Sequence, residues 1–382
     1  MWAKGPYLYV IHYNIQKFSH SKIVILYIIE IIIGFLFGPI NKHLKNRYGP
    51  KFFCIFYNVI FVINLLLLMQ SSHFMIYLSQ IIKGFGADII SNTFEEWVIL
   101  ESVKVFDGYP ELIEIFRRRL LISSNKYDAI VSIITSIICS FIYSYVGIYG
   151  PLYISIILSI LSIVVIQVLW DENQIKITEK NSSLVPLREA LFEFKKVDVL
   201  CIWLIEGIFN ASLNVFLFSW FPILKQSTTG DINPGFIFFC MISAMITGTK
   251  LFLLLIGYLN FDYYMSITGC LFLQGLFLVL TYFIDSLLAR MIFLILYNGF
   301  IGFYNPINSL IKSNIFNKKY KGTLETLLRI PCNCYIIIIL IILRYTNPFI
   351  VINITGITCF LASGIGLFLC IYRTFIHKQK LD

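Results

Sequence analysis

The chain is predicted to be an all-α, polytopic membrane protein built as two six-helix halves, and three observations carry that expectation. Apolar residues make up 58% of the 382 positions against 13% charged, with a mean hydropathy of +0.81. A soluble domain of this length has no core able to hold so much apolar side chain. Eleven apolar runs are each long enough to cross, or nearly cross, about 30 Å of hydrocarbon, and a polar connector divides them. Lysine and arginine also collect in alternate inter-run segments, as the positive-inside rule requires.

The opening residues, Met1-Trp2-Ala3-Lys4-Gly5-Pro6, lead into a run over 7–15 too short to cross the membrane, so the first helix is expected to be incomplete. No charged n-region followed by an apolar stretch and a small-residue cleavage site precedes it, which argues against a cleaved signal peptide. Five spans follow at 22–40, 52–69, 74–100, 120–145 and 151–170. The connector, 171–198, is the longest polar stretch, and six further spans run at 199–221, 235–257, 263–284, 287–311, 329–344 and 349–372. This gives an N-terminal half over 1–170, a linker over 171–198 and a C-terminal half over 199–382.

Segments 41–51, 101–119, 171–198, 312–321 and 373–382 hold 20 of the chain's 30 Lys and Arg, while the opposite loops hold five. That asymmetry predicts a cytosolic linker and C-terminus, and it leaves the Asn181-Ser182-Ser183 sequon on the side where glycans are not added. The net charge of +9 is accounted for in the same way, so no nucleic-acid partner is expected. Nine cysteines lie scattered in apolar runs and read as small hydrophobes.

The span at 74–100 carries charge inside a segment otherwise built to sit in lipid. Lys83 falls ~14 Å along it, close to the bilayer midplane. Asp88, Asn92 and Glu95 follow on one helical face, and Gly84 and Gly86 permit a second helix to come close. A charge at the centre of a spanning helix costs about 2.5–3.5 kcal/mol on insertion scales, so these side chains are expected to face a polar pathway, with a structural inter-helix salt bridge as the alternative. In the next span Lys126 lies ~9 Å from one end with Asn125 beside it. Pairing of Lys126 with Asp128, or snorkelling to the interface, competes with a ligand role.

Six spans, a linker and six more, with a basic turn at Gly38 to Lys51, resemble the major facilitator architecture. That pattern has an aspartate in the turn where this chain has Asn46. A closer likeness is carried by Trp2 with Gly5-Pro6-Tyr7-Leu8-Tyr9, Ile25-Leu26-Tyr27, Phe94-Glu95-Glu96-Trp97, Trp170-Asp171-Glu172-Asn173 and Trp220-Phe221-Pro222. Gly235-Phe236-Ile237-Phe238, Gly302-Phe303-Tyr304-Asn305-Pro306 and Arg329-Ile330-Pro331-Cys332-Asn333 continue it in order. Together they resemble the molybdate-anion transporter branch of that superfamily.

The resemblance implies a secondary carrier of a small anion such as molybdate, with a complete first helix, so a start upstream of Met1 is expected. It also marks departures: Glu206 and Asn210 stand where the family has Gln and Glu, Asn298 replaces a Glu, and Lys250 occupies a normally small, uncharged position. The candidate pathway residues are therefore Lys83, Asp88, Asn92, Glu95, Asn125, Lys126, Glu206 and Asn210. Arg118, Lys250, Asn298 and Arg329 read as gating or structural groups. Buried carboxylates such as Asp88, Glu95 and Glu206 are also of the kind that carries a driving proton.

Enzyme, nucleotide-site and metal motifs are missing from the sequence, so no cofactor or metal is expected. The expected partners are a small anionic solute and the lipid bilayer of a plasma membrane or endomembrane, around a monomer. A carrier of carboxylates, or a receptor of transporter fold that no longer transports, remains open on the residues alone.

Overall fold

The computed structural model describes residues 2–106, 109–172, 192–228, 230, 232–259, 262–315 and 321–379. Contacts divide the chain into two compact units, Met1–Asn181 and Ser182–Asp382. In the first, residues 5–15 form a short segment, α1, that passes from 3-10 through α to π geometry. It is followed by α2 (His20–Tyr48), α3 (Pro50–Leu68), α4 (His73–Val105), α5 (Pro110–Val146) and α6 (Gly150–Leu169). The second holds α7 (Val197–Gln226), α8 (Pro234–Leu259), α9 (Tyr263–Phe283), α10 (Leu287–Ile315), α11 (Lys321–Tyr345) and α12 (Pro348–Gln379).

Proline stands in the first turn of α3, α5, α6, α8 and α12, where its missing N–H would have no intrahelical partner in any case. Asp262 caps α9 by accepting from the Met265 amide at 3.0 Å. Each expected span overlaps one long helix. The helices run further than lipid alone demands, because backbone hydrogen bonding continues into the polar interface. The basic segments 41–51 and 101–119 are thus largely helical, and Lys312 lies inside α10.

Among the described residues nine helices are long and apolar enough to span a membrane. Helix α4 is not among these nine, and α11 offers the shorter apolar stretch Cys332–Tyr345 among its described residues. Outward faces are greasy, as at Phe141, Tyr145, Ile157, Leu161 and Val168, all more than half exposed. That is what a lipid-facing surface requires.

Both units use the same helix pairings. In the first, α2 and α3 each pack on α4, and α3 also packs on α6. Six helices later, α8 and α9 each pack on α10, and α9 also packs on α12. The α1 segment belongs to the first unit's core, for Tyr7, Leu8 and Ile11 are buried with Phe53, Tyr57, Phe61, Leu65 and Leu152. In the second unit Arg290, 6% exposed, ties helix ends together. It donates to the Thr281 carbonyl at 3.3 Å, to Ser227 Oγ at 2.6 Å and to Asp285 Oδ1 at 2.8 Å, and it lies over the Phe349 ring.

Small residues close the equivalent crossing in each unit. A Cβ at Gly84 of α4 would sit 2.6 Å from the Glu30 carbonyl of α2, and one at Gly302 of α10 would overlap the Met245 carbonyl of α8. With no hydrophobic drive between helices in lipid, such close backbone approach supplies the packing. Gly302→Ala is therefore expected to lower stability by about 1–3 kcal/mol. Thermal unfolding of the purified full chain checks this, and an unchanged melting temperature would show that α8 and α10 do not meet there.

Candidate functional site

The site is built at the crossing that Gly84 allows. Glu30 lies within the apolar run Tyr27-Ile28-Ile29-Glu30-Ile31 of α2, and Lys83 precedes Gly84 on α4. The close approach brings Lys83 Nζ to 2.6 Å from Glu30 Oε2, with about a fifth of each side chain exposed. The ammonium also lies 5.5 Å from the centre of the Tyr27 ring. An ion pair of this burial survives only with close geometry, since each charge has lost most of its water.

A second cation stands at the same place. Lys4, only 4% exposed, donates to Asn64 Oδ1 at 3.3 Å and lies 4.1 Å over the Phe61 ring. Asn64 is itself oriented by donating to the Ser79 carbonyl at 2.6 Å. Lys4, Glu30, Asn64, Lys83 and Tyr57 share the wall of one cavity of about 40 Å³ with Ile60, Phe61, Ile82, Gly86 and Ala87. Among the described residues lining it, two lysine side chains face one carboxylate. A neighbouring cavity of about 230 Å³, bordered by Trp2, Asn58, Phe94, Thr135, Ser155 and Ser159 among others, has no charged residue among its described lining.

Lys83 is thus not left to a ligand alone, because the inter-helix salt bridge that stood as the alternative is formed. Its partner is Glu30, 53 residues away and on another helix, so removing the ammonium strands a buried carboxylate. The side chains of Asp88, Asn92, Glu95, Asn125, Arg118 and Arg329 lie outside the described residues. Lys126 is exposed, and Asp128, its expected neighbour, accepts from the Trp2 indole at 2.8 Å. Lys250 is exposed on α8, and buried Asn298 donates to the Leu294 carbonyl of its own helix at 2.8 Å.

Within the second unit Glu206 is buried and accepts from Lys312 at 2.9 Å. One turn on, the half-buried Asn210 offers its backbone carbonyl to Asn214 at 2.7 Å. Sequence reasoning passed over Glu30, Lys4, Asn64 and Lys312. The first had a readable signal, for a lone acid in an apolar span needs a partner as much as Lys83 does.

Several of the aromatic and acidic motifs turn out to join helix ends. Trp97 stacks on Trp170 at 3.8 Å and donates to the Asp171 carbonyl at 2.9 Å. Lys104 reaches Asp171 at 3.0 Å, and its ammonium holds that exposed carboxyl below the usual carboxylate range. The Glu172 carboxylate accepts from the Lys51 and Phe52 amides at 3.2 and 3.1 Å. It complements the start of α3, which the aspartate absent at Asn46 does not. Lys45 pairs with Glu96, a second ionic link between α2 and α4.

A family model described as sugar transporters with 12 TM segments matches residues 1–290. The chain belongs to this family of the major facilitator superfamily. It is an integral multi-pass membrane protein of a transporter family rather than an enzyme family. Curated relatives include molybdate-anion transporters from Takifugu rubripes, 30% identical over 112 residues, and Xenopus tropicalis, 21% identical over 251 residues. These matches cover 29% and 66% of this chain, and 23% and 54% of the relatives' own length. The chain thus matches about half the length of a curated relative or less.

Two solved facilitator structures share the fold. A nucleoside transporter superposes with a TM-score of 0.69 at 13% identity, covering 97% of this chain and 94% of that one. A D-xylose-proton symporter gives 0.68 at 14%, covering 97% and 91%.

The Lys83–Glu30 geometry makes a definite demand on mutants. Lys83→Ala, which leaves Glu30 buried without its cation, is expected to cost about 3–5 kcal/mol, and Lys83→Ala with Glu30→Ala to recover most of it. Unfolding of both variants in detergent measures the coupling. Equal losses in the single and double variants would mean that the two charges do not depend on each other.

Proposed function

We propose that this facilitator is a secondary carrier of a small oxyanion, with molybdate as the candidate substrate, and that Lys83 and Lys4 receive it. The observation that carries the reading is that two lysine side chains share a single small cavity with one carboxylate. Charge taken out of water needs a counter-charge, and a second negative group is what the described lining lacks. A volume of about 40 Å³ compares with roughly 10–15 Å³ of such space per water. It suits a compact tetrahedral anion far better than a sugar ring.

Ammonium groups bind oxyanions as point charges through charge-assisted hydrogen bonds, and the Asn64 amide holds Lys4 ready for this. Glu30 supplies the means of release. It is a tethered anion that takes Lys83 back when the substrate leaves, so the ammonium is never without a counter-charge. The molybdate-anion transporters among the relatives support the same solute class. Lysine and arginine asymmetry supports a cytosolic linker and C-terminus for the carrier.

Uptake by proteoliposomes containing the full chain tests the proposal. Saturable entry of molybdate, competed by sulfate and not by hexoses, is the expected result. Lys4→Ala is expected to weaken molybdate affinity tenfold or more, in keeping with loss of a charged contact of about 1.5–3 kcal/mol. Entry of small carboxylates instead would shift the substrate class, and binding without any uptake would favour a receptor.

A further inference from the structure

We propose that Glu206, with Tyr304, Asn308 and Lys312, forms a proton-loading site in the C-terminal unit, separate from the cavity at Lys83. Glu206 of α7 is 9% exposed and unevenly satisfied. Its Oε1 accepts from Lys312 Nζ at 2.9 Å, while its Oε2 is buried and has no hydrogen-bond partner. Tyr304, Asn308 and Lys312 recur every four residues along α10 and so share one face. The Tyr304 hydroxyl and Asn308 Oδ1 are also buried without partners, and Phe209 stacks on the Tyr304 ring at 3.6 Å to fix it.

Three unpartnered polar atoms in one wall are costly in any interior, and two of them, the carboxylate and amide oxygens, can only accept. The Tyr304 hydroxyl brings one hydrogen for these two acceptor oxygens, so the wall is one donor short. A proton taken from water adds to Glu206 Oε2, forms an O–H bond and cancels the carboxylate charge. Lys312 keeps its own protons and loses its counter-charge. On unloading, the O–H bond breaks, the proton returns to water and the ion pair re-forms. A metal cation fits less well, because the Lys312 ammonium already holds one carboxylate oxygen and would repel it.

Several other titratable groups on the helices packed against α7 are engaged elsewhere. On α10 and α12, Tyr297 and Cys359 both meet Ser212, and Arg290 and Arg373 bind Asp285 and Asp198. On α11, Tyr335 meets Thr358, and the side chains of Lys321, Glu325 and Arg329 lie outside the described residues. As the driving step of transport this inference rests on the carrier reading, whereas the loading site itself does not depend on the solute.

Infrared difference spectra of the full chain in nanodiscs, between alkaline and acid pH, test it without any substrate. A deuterium-sensitive C=O stretch of a protonated carboxyl is expected at acid pH, lost in Glu206→Gln and kept in Glu30→Gln. Glu206→Asp, which retains an acid, is expected to move that band in frequency, so the test survives if the glutamine variant does not insert. An unchanged set of carboxyl bands in both Glu206 variants would overturn the proposal, as would abolition of the band by sodium at fixed pH. If the band behaves as expected but no solute enters proteoliposomes, the loading site stands and the carrier reading fails.

Discussion

The contact between α2 and α4 is the constraint on which the N-terminal unit depends. It brings a lysine and a glutamate together in a region where neither survives alone, and it does so because Gly84 offers no side chain to hold the helices apart. Each charge, isolated at mid-membrane, would cost about 2.5–3.5 kcal/mol on insertion scales. Joined at 2.6 Å they become a short polar rung between two apolar surfaces. Lys45 with Glu96 makes a second rung on the same helix pair. Buried pairs of this sort add little net stability compared with apolar side chains of the same size, but breaking one is expensive. Their value here is that they fix how α4 lies on α2.

That fixed position gives the cavity its character. Lys4 could be balanced by Glu30 if Lys83 were absent, and Lys83 is balanced by Glu30 as it stands, but one carboxylate does not serve both. On the proposed reading an exchangeable anion resolves the imbalance. The second unit repeats the helix pairings without repeating the charges. Its ion pair, Glu206 with Lys312, lies between α7 and α10, beside buried polar atoms that have no hydrogen-bond partner. If both proposals hold, the two units divide the work, one receiving the anion and the other the proton.

Much of the fold was legible because the membrane imposes length. Runs such as 151–170 and 263–284 can be read with no knowledge of neighbours, and proline marks several of their starts. Gly84 and Gly86 also announced a close helix contact, since small residues next to a buried charge have few other uses. The pair itself was not legible. Lys83 invites a search along its own helix, where Asp88 is badly spaced, while its true partner is 53 residues away and meets it only once α2 and α4 cross. Lys312 was assigned to a loop because charge usually ends a span, yet α10 continues through it and gives it a buried partner. Lys4 was set aside with a segment too short to span, although it packs into the core.

Crystals or vitrified samples of the full chain soaked in molybdate offer the most direct test, because molybdenum can be located by its anomalous scattering. The account predicts a molybdenum peak in the cavity between Lys4 and Lys83, with the Glu30 carboxylate displaced from the Lys83 ammonium. Molybdenum bound elsewhere, with the Lys83–Glu30 pair intact, would contradict it.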